Sequence, residues 1–170
     1  MAGDQKCRGM NILAVKTKLL NPQMIFKQIP EYNYDNISPT EWYPMEQFTK
    51  LTDYIEKALG KPVLMKIGRG IIPEMKEAGI LPFKAPEDLL DALPAVYLEG
   101  NSGSSLGQWK LLEKGEKHYT FENSTMHNCH LEEGIIYGGV EAFGGKFPKI
   151  TQKTCVKNGD SACHFDIKWS

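Results

Sequence analysis

Apolar positions along this chain change period near residue 107. Before it they recur every three to four residues, the spacing of a helix with one buried face. The plainest case runs from Pro44 to Leu59, where Met45, Phe48, Leu51, Ile55 and Leu59 form one stripe and Gly60 closes it. A second helical pattern starts at Pro62 and carries Val63, Leu64, Ile67, Ile71, Met75 and Ala78. Gly68, Gly70 and Pro73 predict a kink within it. A third begins near Pro86, with Glu87 and Asp88 in its first turn, Leu89, Leu90 and Leu93 inward, and Pro94 or Gly100 as its end. Upstream, residues 12–20 are an apolar run that periodicity leaves open between strand and helix. Asn21-Pro22 then reads as a helix start, with Met24, Ile25 and Ile29 on one side and Pro30 as the stop. Ser38 to Glu41 (S-P-T-E) matches a capping box with Pro39 at the first helical position, cut short by Pro44.

After the glycine- and serine-rich loop 100–107 the pattern becomes alternating. W-K-L-L-E and H-Y-T-F-E, joined by K-G-E, predict a hairpin. A helix follows from about Leu131 to Phe143, and residues 148–156 and 162–169 predict a final hairpin. The predicted fold class is therefore α+β, with N-terminal helices packed on a C-terminal antiparallel sheet of order β-β-α-β-β. The chain reads as one domain, 1–170, with a mainly helical part over 1–100 and the β-β-α-β-β part over 105–169.

Size and charge narrow the function. With 170 residues the chain can bury a real core, and a net charge of −1 gives no electrostatic case for nucleic acid or anionic membranes. No apolar run reaches the length of a membrane span, and the polar N-terminus lacks a signal core, so a cytoplasmic location is the expectation. In that compartment clustered cysteines point to metal or redox chemistry more often than to structural bridges.

The cysteines and histidines of the last third carry the candidate chemistry. A hairpin closed by a three-residue loop at Asn158, Gly159 and Asp160 sets Cys155 directly opposite Cys163. Strand alternation turns Cys163, Phe165, Ile167 and Trp169 inward and His164, Asp166 and Lys168 outward, which removes His164 as a ligand. Cys129 stands at a helix start, followed by Glu132 and Glu133. The helix dipole there predicts a lowered thiol pKa. His127 and His130 flank it. The candidate metal ligands are thus Cys129, Cys155, Cys163, His127 and His130, in a sulfur-rich zinc site. Buried inert thiols, a redox pair and a Cys155–Cys163 disulfide stand as alternatives. Cys7 reads as incidental and His118 as an exposed strand residue. Gly134, Gly138 and Gly139 within the last helix predict close approach of a backbone or of a ligand.

The segments C-V-K-N-G-D-S-A-C-H-F-D-I-K-W and N-C-H-L-E-E-G-I-I-Y-G-G-V-E-A-F-G resemble the closing elements of the 4-vinyl reductase, or hydrocarbon-binding, domain family. The resemblance is most specific over residues 105–169. It implies a fold shared with TRAPP-type transport proteins and heme–nitric-oxide binding domains, an apolar pocket between helices and sheet, and a homodimer acting as the input module of a bacterial signalling protein. Phenol-sensing members hold zinc through three cysteines and a glutamate. The cysteines correspond to Cys129, Cys155 and Cys163, and the glutamate falls on Gln152, a poor zinc ligand.

Two functions follow. The first is a sensor domain that binds a small apolar or aromatic ligand and carries a cysteine-rich zinc site. The alternative is a heme-based gas or redox sensor with Cys or His axial ligands, against which stands the absence of histidine from the helical part. An enzyme is not expected, because no nucleophile–base set, phosphate loop or dinucleotide fingerprint is present.

Overall fold

The computed structural model describes residues 3–170. Its helices are α1 (Gly9–Lys16), α2 (Pro22–Phe26), α3 (Met45–Leu59), α4 (Lys61–Arg69), α5 (Ile71–Glu77), α6 (Pro86–Gly100) and α7 (Cys129–Ala142). A four-stranded antiparallel sheet is built from β4 (Trp109–Gly115), β5 (His118–Asn123), β6 (Lys149–Thr154) and β7 (Cys163–Lys168), in the order β4-β5-β7-β6. The α+β class is as expected. A second sheet is not: β1 (Lys6–Arg8) lies between β2 (Trp42–Pro44) and β3 (Asn101–Ser102). Strands of two or three residues are too short to show alternation, so no pattern announced them.

That small sheet explains the missing helix at Ser38–Glu41. The first free N–H groups of α1 need acceptors. Gly9 N–H donates to the Glu41 carbonyl (2.9 Å) and Met10 N–H to the Pro39 carbonyl (3.1 Å). The segment thus caps a neighbour and leads into β2 instead of coiling on itself. The run 12–20 resolves as the end of α1, and α2 stops at Phe26, short of Pro30. The predicted kink is a full break at Gly70 between α4 and α5. Pro73 falls in the first turn of α5, where its missing donor costs nothing. Helix α6 runs through Pro94 to Gly100.

The core lies between the helices and the inner sheet face. Met45, Phe48, Leu51 and Ile55 of α3 are buried as predicted, whereas Leu59 at its end is 47 % exposed. The sheet contributes Trp109, Tyr119, Phe121, Phe165 and Ile167, packed through aromatic contacts such as Trp109–Phe165 at 5.5 Å. These side chains belong to the continuous core between helices and sheet. Cys7 is fully buried in β1, and burial pushes its thiol up to about 12.

Helices α4 and α7 meet without a side-chain cushion. A Cβ at Gly134 would fall inside the van der Waals shell of the Met65 carbonyl, one at Gly138 onto the Arg69 carbonyl, and one at Gly68 onto the Leu131 carbonyl. The glycines therefore serve backbone approach, and no ligand is needed to explain them.

Candidate metal centre

The site forms where the start of α7 meets the β6–β7 turn. Asn128 fixes the start of α7, its side-chain oxygen accepting from His130 N–H at 2.9 Å and Leu131 N–H at 3.4 Å. The Asn128 amide also donates to Asp53 and Glu56 of α3, each at 2.7 Å. One residue therefore caps the helix and anchors it to the helical layer. Cys129, the first residue of α7, points inward and is 2 % exposed.

Cys155 and Cys163 come from the hairpin. The register pairs Thr154 with His164, and continuing it one step sets Cys155 opposite Cys163, as expected. The connection differs from the predicted three-residue loop. It spans residues 156–162, opens with a 3₁₀ turn at Val156–Asn158, and reverses at Gly159, whose φ of +94° suits glycine. Asp160 accepts from Cys155 N–H at 2.8 Å and holds the turn closed.

A bulge delivers the fourth group. Between Gln152 and Thr154 the ladder slips by one residue at Lys153. In a regular strand Gln152 and Thr154 would share a face. The slip leaves Thr154 opposite outward His164 and turns Gln152 opposite buried Phe165, onto the face of Cys155. Nothing in the sequence signals that bulge.

The thiols cluster. Cys129 Sγ lies 3.4 Å from Cys155 Sγ, and Cys163 lies within interaction range of both. All four cysteines are free, so no Cys155–Cys163 disulfide is present. A hydrogen bond from Cys129 lowers the Cys163 pKa against the opposing effect of burial, and Val156 N–H donates to the same sulfur at 3.4 Å. Cys129 behaves opposite to the helix-dipole expectation. Its pKa is raised, first by the hydrogen bond it gives to Cys163 and then by burial. At close contact a neighbouring sulfur outweighs the fractional charge of a helix end.

The two candidate histidines separate. A ring nitrogen of His130 lies within 4.8 Å of the ligand atoms of Cys129 and Cys155. Its Nδ1 is held by Glu56 Oε1 at 2.5 Å, which leaves Nε2 free. A carboxylate behind a histidine is how metal-binding imidazoles are commonly oriented. Burial raises the Glu56 pKa, but hydrogen bonds from Asn128, Lys157 and His130 more than offset it and bring the carboxyl to about 2. His127 points elsewhere. Its Nδ1 faces Glu132 at 2.8 Å and its Nε2 faces the Asn101 side-chain oxygen at 3.2 Å, between the rings of Phe48 and Tyr97. With both nitrogens engaged it has no lone pair for a metal. Glu132, predicted as a helix-start charge, is its buried partner.

His164 lies outward beside Glu122 at 3.2 Å, and His118 pairs with Asp166 at 2.6 Å across the outer sheet face. Gln152 stands against the Cys129 thiol, and its amide nitrogen is buried without a partner. The two ends of an amide are interchangeable by rotation, so the same side chain can present its oxygen there. Among the described residues, the Cys129 and Cys155 sulfurs and a His130 ring nitrogen lie within 4.8 Å of one another, with Cys163 and the Gln152 amide beside the Cys129 thiol. Glu56 and Lys157, which complete the surroundings, lie on the polar side of α3 and in the turn. Their part was invisible in the sequence.

The architecture defines a class before any particular relative is considered: an α+β domain whose helical half is joined to a β-β-α-β-β half through α7. Solved structures similar to it include H-NOX proteins. One from S. oneidensis in the Fe(II)NO ligation state gives a TM-score of 0.67 at 15 % identity, over 96 % of this chain and 99 % of that one. Fe(II) unliganded H-NOX protein from K. algicida gives 0.69 at 13 %, over 96 % of each chain. A third, from work on heme distortion in the H-NOX family, gives 0.70 at 16 %, over 95 % of this chain and 92 % of that one. At such identities the likeness establishes the fold. No family model and no curated relative matches the chain, so the 4-vinyl reductase resemblance rests on its motifs alone.

Proposed function

We propose that this chain is a sensor domain on the H-NOX fold, in which a thiol-rich metal centre, best suited to zinc, ties the start of α7 to the final hairpin. The observation that carries the reading is the grouping of the Cys129 and Cys155 thiols and a His130 ring nitrogen within 4.8 Å, with Cys163 and Gln152 beside Cys129. Sulfur and imidazole donors in tetrahedral number suit zinc, and a proton leaves each thiol as the metal enters. The homodimer and the signalling output module belong to the same proposal through the motif resemblance. No helix among the described residues is long and apolar enough to cross a membrane.

The fold likeness favours the heme alternative over zinc, because the solved neighbours are heme proteins and their likeness is silent on zinc. Few heme ligands line the recesses of this chain. Among the grooves described between its elements, none is lined by histidine or cysteine. They offer methionine thioethers and the phenol of Tyr137, whose ring lies under Arg69 at 4.3 Å. The four histidines are each turned to a carboxylate. Of the axial ligands that heme proteins take, His, Cys, Tyr or a Met/His pair, the described grooves offer Tyr137 alone.

Two measurements separate the readings. Elemental analysis of purified protein is expected to give one zinc per chain, and titration with hemin is expected to give no Soret band. A stoichiometric Soret band abolished by His130→Ala would replace the zinc centre with a heme. Gln152→Glu supplies the missing carboxylate and is expected to tighten zinc binding ten- to hundred-fold, on the order of the range by which neighbouring groups move metal affinity. Competition with a chromophoric chelator measures it. Unchanged affinity would place the fourth ligand at His130 alone.

A further inference from the structure

The largest apolar recess described lies away from the thiols, on the helical side. It holds about 760 Å³, within the usual range for small-molecule sites. The turn after α1 supplies Leu19 and Leu20, α2 supplies Met24 and Ile25, and α3 and α4 supply Leu59, Val63 and Ile67. Ile25 and Ile67 are recessed at 7 % and 5 % exposure, while Leu20, Met24, Leu59 and Val63 stand exposed along the rim. Stable soluble domains seldom leave so many large aliphatic side chains converging on one recess unless something covers them.

The composition of the recess selects the occupant. Its walls are aliphatic, with no aromatic ring among them, so they suit a flexible hydrocarbon better than a flat one. Its charged groups are two lysines, Lys18 and Lys66, and no carboxylate lines it. Lys18 is already paired with Glu74. Lys66, exposed, lines the recess and has no carboxylate partner among the described residues. Asn21 also lines it and makes no side-chain cap to α2. One unpaired cation at an aliphatic slot matches an anionic head on an alkyl tail.

We infer that the recess formed by Leu19, Met24, Ile25, Val63 and Ile67 binds a free aliphatic carboxylate, with the tail along α4 and the head at Lys66. The inference deepens the sensor reading by supplying a ligand class. It does not depend on the thiol centre, which lies beyond α7. The tail gains from burial in proportion to the apolar area covered, and the head gains a charge-assisted hydrogen bond.

Isothermal titration of the full chain with decanoate tests it. Saturable one-to-one binding is expected, tighter than for decanol or decylamine, which share the tail and lack the anion. Lys66→Glu is expected to weaken decanoate at least about tenfold by reversing the charge at the head. Val63→Asp, at an exposed wall position, is expected to do the same by wetting the slot, with circular dichroism confirming that both variants fold. Cys129→Ser is expected to leave decanoate affinity unchanged, so loss of the zinc centre and loss of the ligand site are read separately. Equal binding of decanol and decanoate overturns the inference, as does decanoate binding indifferent to Val63→Asp. Sedimentation with phosphatidylglycerol vesicles in place of decanoate binding assigns the face to a membrane and overturns it. A concentration-dependent dimer that Val63→Asp dissolves, with no decanoate binding, assigns the face to a second copy and also overturns it.

Discussion

Stripping the metal with a strong chelator is expected to lower the melting temperature by roughly 10 °C. A ligand present at about a thousand times its dissociation constant stabilises the folded state by about 4 kcal/mol. For a domain of this size each kcal/mol moves the midpoint by about 2–4 °C. The effect arises because the centre joins parts of the chain that are distant in sequence: Cys129 at the head of α7, and Cys155 and Cys163 on the two arms of the hairpin. Without a metal, three thiols remain buried beside one another. Cys129→Ser is expected to abolish zinc content and to melt where the chelated wild type melts. Cys7→Ala, whose thiol is buried in β1 far along the chain, is expected to keep its zinc. Calorimetry with elemental analysis on the same samples reads both quantities. A melting temperature indifferent to chelator, in protein that contains no metal, would leave the cysteines as inert core residues.

Gly138→Ala is expected to destabilise the protein by about 2–4 kcal/mol, a cost of the order seen for overpacking and backbone shifts. Intrinsic propensity argues the other way, since alanine is favoured over glycine in a helix by about 1 kcal/mol. The sign is decided by the Arg69 backbone, which occupies the space a methyl group would need. Backbone cannot rotate aside as a side chain can, so α4 and α7 must separate. Gly134→Ala meets the Met65 backbone in the same way. Denaturant unfolding of the two variants measures the change. A neutral or stabilising result would mean that the helices part readily and that the seam is not a rigid contact.

Alternation along β7 was legible because one face of the strand is buried and the other wet, and it placed Cys163 inward and His164 outward correctly. Hairpin symmetry set Cys155 opposite Cys163 even though the connecting turn is longer than predicted. The position of Cys129 followed from its place at a helix start. His127 and His130, by contrast, were indistinguishable by spacing. The structure separates them through partners from other elements, Glu56 of α3 for His130 and Asn101 of β3 for His127. The thiol pKa at Cys129 was misjudged for a related reason. The helix end is a local feature, but the dominant neighbour is a cysteine 34 residues away. The small sheet and the unwound Ser38–Glu41 segment belong to the same group, since both depend on hydrogen-bond partners distant in the chain.

The sequence by itself determined the class of fold, the buried stripe of α3, the inner face of β7 and the identity of the three sulfurs, because each follows from short periodicities and side-chain chemistry. Only the tertiary structure decided that Gln152 faces the thiols, that His130 and not His127 joins them, and that Gly134 and Gly138 receive a helix backbone. A one-residue bulge, a carboxylate presented by another helix and an interhelical distance leave no trace in local sequence, since each is set by groups that meet only when the chain has folded.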